Sequence, residues 1–215
     1  MKENNTKKEV HSLIVETAHE LFIEHGIKDV KMDDIAARLS ISKRTIYELF
    51  NDKEQLLHEV LKFQNEKMYE NGKEIIRNSS HILEIILKLY NLHFKLLKRV
   101  NSKFFSELNK YPKICKEKQT KEKRNTQKFC AWMEMGRQQG LFREDADFNI
   151  LTFILKRDLT TIIEVKMQKG HTELSDYTPD ELGRKLILFY LRGISTPKGQ
   201  QIIEEYLKRN ETIIE

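Results

Sequence analysis

Cysteine is scarce in this 215-residue chain: only Cys115 and Cys130 are present. Two thiols at irregular positions cannot make a disulfide framework, and a tetrahedral zinc site needs four ligands at characteristic spacings, so both are read as reduced thiols. Proline (three) and glycine (eight) are also few, and no convincing strand pattern occurs. No apolar run approaches the roughly 20 residues that span a bilayer. The N-terminus, Met1 to Val10, is charged and lacks the apolar segment of a secretory signal, which predicts a cytoplasmic protein. What is present is 39% hydrophobic and 33% charged residues, with apolar positions recurring every three to four. This pattern predicts a soluble, all-α fold.

The formal charge of +5 invites a nucleic-acid reading, but its distribution does not locate one. Residues 1–72 carry 11 basic and 14 acidic side chains, whereas residues 73–215 carry 27 and 19. Any DNA-binding end must therefore be identified from the placement of particular residues. The most basic stretch, Lys110 to Lys128, has eight Lys or Arg against two Glu and reads as a solvated helix face.

Along the chain, Val10, Leu13, Ile14, Ala18, Leu21 and Phe22 predict a first helix from about Lys7 to Glu24, with Gly26 placed to end it. Met32 to Leu39 makes two turns, and Asp33 and Asp34 sit at the positive end of the helix dipole. A turn, Ser40-Ile41-Ser42, leads into Lys43 to Phe50, with Ser42 as N-cap. Asn51 with Glu54, or Asp52 with Gln55, offers a capping box for a longer helix to about Glu70, closed by Gly72. Ile82 to Val100 is strongly amphipathic; Phe104, Phe105 and Leu108 continue it or start a short neighbour, and Pro112 interrupts the pattern. Asp145 or Asp147 caps a helix from about Phe148 to Gln168. Thr178-Pro179-Asp180-Glu181 then combines a capping threonine, a first-turn proline and a box-closing glutamate. Gly193 ends that helix, and Thr196-Pro197 starts a last one to about Lys208, which makes nine or ten helices in all.

Two short helices joined by a tight turn and followed by a long capped helix have the layout of a helix-turn-helix DNA reader. Ile35, Ala36, Leu39, Ile41, Ile46, Leu49 and Phe50 are spaced to form one small core, which leaves Lys43, Arg44, Thr45, Tyr47 and Glu48 on or near the outer face. Amides at the start of the second short helix favour phosphate. Lys and Arg there reach phosphates or guanine edges, and Thr reaches base edges or a thymine methyl.

Through the run Met32 to Leu57, and above all the pattern Ser-Lys-x-Thr-x-Tyr-x-x-Phe-x-x-Lys-Glu-x-Leu from Ser42 to Leu56, the chain resembles the tetracycline-repressor (TetR) family of bacterial regulators. The resemblance implies that Lys43, Arg44 and Thr45 face bases or phosphates, that Tyr47 presses on the backbone, and that Lys53 holds a phosphate. Two positions depart from the family pattern: Lys31 stands where Thr or Ser often caps the second helix, and Ser40 stands where glycine is common. Lys31 would replace a phosphate-binding hydroxyl with an ammonium, and Ser40 would bear modest strain if left-handed. Gln139 to Asp145 is similar to the link before the family's dimerisation helices, and Leu191 to Pro197 to its closing segment. The implied organisation is a DNA-binding domain over 1–57, a connector helix to about 71, and an effector-binding and dimerisation domain over 73–215. The implied function is a repressor on a two-fold symmetric operator.

Other chemistry finds little support. His19-Glu20 with His25 fails the zincin spacing by two residues, and Gly136 to Gly140 lacks the Gly-Lys-Ser/Thr of a phosphate loop. No enzyme, metal or cofactor is expected. In the C-terminal part Tyr90, Phe94, Phe105, Phe129, Trp132 and Phe153 are candidates to line a small-molecule pocket. His93, Arg157 and Asp158 are candidate polar anchors there, and Arg157 and Asp158 read equally as structural ion-pair residues with other partners. The helices from Ile150 to Met167 and from Leu182 to Ile194 are apolar almost all round and need burial on two sides. A homodimer formed through Leu151, Leu155, Leu159, Ile162, Leu186 and Tyr190 is the economical answer. The positive charge of this half tilts the effector toward an anionic amphiphile. A helical protein–protein adaptor is the alternative to a DNA-binding regulator.

Overall fold

The computed structural model describes residues 2–167, 172–174 and 176–211, apart from the side chains of 2–6, 118, 159, 160, 172, 210 and 211. Among the described residues the chain forms ten α-helices: α1 (Lys2–His25), α2 (Met32–Leu39), α3 (Lys43–Tyr47), α4 (Lys53–Arg77), α5 (Ile82–Arg99), α6 (Ser102–Leu108), α7 (Pro112–Gln138), α8 (Phe148–Lys166), α9 (Pro179–Ile194) and α10 (Pro197–Glu211), with a short 3₁₀ turn at Thr172–Leu174. None of these helices is long and apolar enough to cross a membrane. Capping signals predict several helix starts. Thr178 accepts the Glu181 amide while Glu181 reaches back to the Thr178 amide at 2.9 Å. Asp147, rather than Asp145, caps α8 through the Asn149 and Ile150 amides. The pair Asp52 and Gln55 serves α4, Asp52 Oδ1 accepting the Gln55 amide at 2.7 Å. Pro112 opens α7 as its first residue, where the missing N–H costs nothing.

Two stops differ from expectation. Gly72 lies inside α4, which runs on to Arg77; one helical glycine costs only about 1 kcal/mol, and flanking residues outweigh it. Gly193 likewise lies within α9, which ends at Ile194.

The chain divides into two units, Met1–Asn71 with Arg99–Glu117, and Gly72–Lys98 with Lys118–Glu215. The first unit thus takes α6 and the start of α7, a segment that the sequence pattern assigns to the second domain. Its core joins Ile14, Ala18 and Phe22 of α1, Ile35 of α2, Ile46, Phe50, and Leu56 and Leu57 of α4, with Phe104 and Leu108 of α6. Phe22 is fully buried. Replacing it by alanine should cost about 3–5 kcal/mol.

In the second unit α8 and α9 pack against each other, over a core that includes Leu83, Met133, Phe142, Leu151, Leu155, Ile187 and Leu191. Residues 139–145 and 191–197, noted separately in the sequence, lie side by side. The Arg143 amide donates to Ile194 O at 2.8 Å, the Thr196 amide to Leu141 O at 3.0 Å, and Thr196 Oγ1 to Gly140 O at 2.7 Å. Gly183 lets α9 approach α5, because a Cβ there would stand 2.2 Å from Phe94 Cζ.

Candidate nucleic-acid interface

The α2–α3 pair is held from inside and dressed on the outside. Ile35 and Ile46 are fully buried, and Ala36 nearly so. Between them Ser40 takes the left-handed conformation (φ 54°), and its amide bonds back to Ala36 and Ala37 carbonyls. A non-glycine residue bears a modest strain there, and the turn is fixed by core residues on both sides. Ser42 then caps α3: its Oγ accepts the Thr45 amide at 3.1 Å and lies 2.8 Å from Thr45 Oγ1. The cap leaves the α3 amides at the exposed end of a five-residue helix, with Ile46 as its inward anchor.

On the outer face, the Arg44 side chain is 88% exposed and its Nε donates to Glu48 Oε1 at 2.9 Å. Lys43 Nζ lies 2.7 Å from Asp33 Oδ1, and this hydrogen bond raises the Lys43 pKa. Its ammonium also lies 5.9 Å from the centre of the exposed Tyr47 ring. Both pairs are solvent-exposed, so they are weak and salt-screened and can be exchanged for phosphates. Asp33 reads in the sequence only as a helix-dipole residue; its pairing with Lys43, ten positions away across the turn, leaves no local signal there. Lys31 is exposed at the start of α2, where its amide donates to Asp34 Oδ2 at 2.6 Å.

Lys53 differs from the rest of the set. Its Nζ donates to Lys28 O at 3.3 Å and to Val30 O, and it lies over the Phe22 ring. Partial burial lowers its pKa, opposed by Glu107, Asp29 and Asp34. In this arrangement Lys53 ties α4 to the α1–α2 turn, and its ammonium is engaged by carbonyls.

The α1–α2 turn has a second support that no sequence pattern signals. Asn101 donates its amide to Ile23 O at 2.7 Å and its side chain to Glu24 O at 3.0 Å. Glu107, buried on α6, accepts the Lys28 amide at 2.7 Å, and Lys103 pairs with Asp29 at 2.7 Å. These residues lie about 75 positions from their partners, beyond any spacing rule.

The second unit gathers part of the expected ligand set. Tyr90, Phe129 and Trp132 pack half-buried on its core; Phe94 is buried and stacks near Tyr90 (5.0 Å between ring centres) and His93 (5.8 Å). His93 and Arg157 are exposed. Phe105 belongs instead to the first unit's core, because α6 packs there, and Phe153 stands 67% exposed on α8. Of the expected interface residues, Leu151, Leu155 and Ile162 are buried within this unit, Leu186 and Tyr190 are half-buried, and the Leu159 side chain lies outside the described residues. The exposed large apolar residues of α8 and α9 are Ile150, Phe153 and Phe189. Burial, and then a hydrogen bond with Asp158, push the Tyr190 phenol up to about 12.

Comparison with known proteins bears on both units. Residues 14–60 match the model of the family described as bacterial regulatory proteins, tetR family. The HTH-type transcriptional repressor KstR2 of Mycobacterium tuberculosis is 23% identical over 187 residues, covering 85% of this chain and 91% of that protein. Among solved structures, a transcriptional regulator from Saccharomonospora viridis in complex with choline superposes with a TM-score of 0.71 at 24% identity, covering 88% of this chain and 99% of that one. The fatty acid degradation regulator FadR from Bacillus halodurans gives 0.62 at 19% identity, covering 84% and 94%.

Proposed function

Because the chain belongs to the tetR family of bacterial regulatory proteins and is a DNA-binding transcriptional regulator, we propose that it works as a homodimeric repressor released from a two-fold operator by a small-molecule effector. The observation that carries the DNA-binding part is the Ser42-capped helix α3, with Lys43, Arg44, Thr45 and Tyr47 on the side away from Ile46. On docking, the α3 amides and Tyr47 meet phosphates, Lys43 and Arg44 leave Asp33 and Glu48 for DNA, and Thr45 faces base edges. Lys31 reaches a flanking phosphate. Glu48 holds Arg44 in the free protein, and Lys53 positions the turn beneath α2. The local −3 balance of residues 1–72 makes affinity depend on these contacts rather than on a broad basic field.

Dimerisation is assigned to α8 and α9, supported by Ile150, Phe153 and Phe189, which stand 59%, 67% and 73% exposed in the single chain. Apolar side chains of that size on two packed helices favour burial against a second copy. The effector is assigned to the second unit. By linkage, a ligand that prefers the wrongly spaced dimer lowers operator affinity by the factor that operator lowers its own. The relatives are transcriptional regulators, and the proposed cycle needs no catalytic step, metal or cofactor.

The test is selection of bound sequences from a random DNA pool, followed by titration of the site in varied salt. Arg44→Ala and Tyr47→Ala are both expected to weaken binding, and Arg44→Ala also to lower the salt slope by about one unit where its guanidinium neutralises a phosphate, whereas the uncharged Tyr47 leaves the slope unchanged. Unchanged binding in both variants refutes this face.

A further inference from the structure

Glu48 stands where a carboxylate is unfavourable for both folding and charge. It is the C-cap residue of α3, at the end of a helix that disfavours an acid. Four positions after Arg44, it also shares that residue's exposed face, so it is turned toward a polyanion. Its ion pair explains little of this. Glu48 Oε1 accepts Arg44 Nε at 2.9 Å, with the two side chains 88% (Arg44) and 59% (Glu48) exposed. Pairs this open contribute little, and an arginine that precedes its acid is the less favourable order on a helix. The helix has other supports: Ser42 caps its start and Ile46 anchors it inside. Asp33, the partner of Lys43, belongs to α2, whereas Glu48 travels with the reading helix. Once Arg44 leaves for DNA, the Glu48 carboxylate faces the groove without a cation.

We propose that Glu48 is a specificity-determining residue, which accepts a hydrogen bond from the N4 amino group of a cytosine in the major groove beside the group that Arg44 takes. This proposal rests on the docking of α3 described above. The base edges single out cytosine. Guanine offers the acceptors N7 and O6, thymine offers O4, and adenine sets its N7 acceptor next to its N6 amino group; cytosine alone presents a donor with no acceptor on the same base. At any other sequence the released carboxylate meets acceptors and phosphates, and nothing replaces its arginine. Glu48 therefore lowers non-specific affinity, which rests essentially on phosphate charge, more than it lowers operator affinity.

Selection from a random DNA pool tests this with the intact protein, Glu48→Gln, Glu48→Ala, Arg44→Ala and the Arg44→Ala/Glu48→Gln double variant, at low salt where phosphate contacts keep weak variants bound. In the unaltered protein one position of each half-site is expected to favour cytosine by about fivefold or more, the low end for a good base contact. Glu48→Gln keeps the side-chain shape and can pair with adenine N6 and N7, so it should move that position toward adenine. Glu48→Ala should flatten it. Both should raise affinity for a random-sequence duplex by up to about fivefold, the scale of one unit-charge repulsion at contact distance in water. The double variant separates reading from holding: a residue that only holds Arg44 has no effect once Arg44 is alanine, whereas a base reader still shifts the cytosine position. If Glu48→Ala loses helicity by circular dichroism, Glu48→Gln decides alone. Absence of a cytosine preference, a preference that survives Glu48→Gln, or no shift in the double variant overturns the proposal. Unchanged binding by Arg44→Ala and Tyr47→Ala refutes the docking face itself, and the role of Glu48 with it; weakened binding by those two with no effect of Glu48→Gln refutes only the role of Glu48.

Discussion

Glu107 offers a quantitative test of how α6 supports the DNA-reading helices. Its carboxylate accepts the Lys28 amide at 2.7 Å, and its Oε2 lies 3.1 Å from the point where a Cβ on Gly26 would stand. Gly26 has φ +91°, in the region that disfavours any side chain. Glu107→Ala removes a charge-assisted hydrogen bond, a loss of about 1.5–3 kcal/mol. Part is returned because a buried carboxylate no longer needs desolvation and the turn amide can meet water, so a net cost of about 1–2 kcal/mol is expected. Gly26→Ala costs about 1–2 kcal/mol in backbone conformation and, in the native background only, a further amount for crowding Glu107. The double variant should therefore be less destabilised than the two singles combined. Urea unfolding gives the free energies, and hydrogen exchange at the Lys28 amide gives the local part. Operator affinity should fall as well, because the turn carries α2. If Glu107→Ala leaves unfolding, Lys28 exchange and operator affinity all unchanged, the reasoning is refuted.

Lys53→Met is expected to lower stability by about 1–2 kcal/mol through the loss of two carbonyl partners, while the salt slope of operator binding stays the same; a slope reduced by about one unit would instead make Lys53 a phosphate ligand. Gly183→Ala should destabilise the second unit by about 1–3 kcal/mol through overpacking against Phe94, and Phe94→Leu in the same chain should recover most of it in a thermal melt. His19, half-buried beside Phe63 with its imidazole bonded to Gln64, has a pKa lowered first by burial. The unfolded chain thus binds its proton more readily, so stability contributed by His19 is present above its unfolded pKa and is lost as pH falls below it. Unfolding at pH 7 and pH 5 should show this loss, and His19→Gln should reduce it. Phe153→Asp with Phe189→Asp should convert the proposed dimer to a monomer at micromolar concentration by light scattering while circular dichroism keeps its helical signature.

Much of the local structure is readable from the chain alone, because the interactions that fix it lie within one helical turn. Thr178 to Glu181 specifies the start of α9, Ser42 the start of α3, and the apolar spacing of Met32 to Leu39 the inward face of α2. The motif from Ser42 to Leu56 is legible for the same reason: it puts exposed Lys43 and Arg44 and buried Ile46 on one short helix, with the core anchors Phe50 and Leu56 close behind. What the sequence could not determine is which neighbour each element meets. Leu151, Leu155 and Ile162 lie on a helix apolar nearly all round, so spacing alone could not tell core from interface; packing against α9 turns them inward and leaves Phe153 outside. Phe105 went to the first unit because α6 packs on α1. Lys53 turned to the Val30 carbonyl, Lys43 to Asp33, and Asp158 to Tyr190. Each of these pairings joins groups at least ten residues apart, and a charge or hydroxyl in sequence carries no record of the partner that the fold brings to it. Tertiary structure alone decides whether such a group is engaged within the protein or left for a ligand.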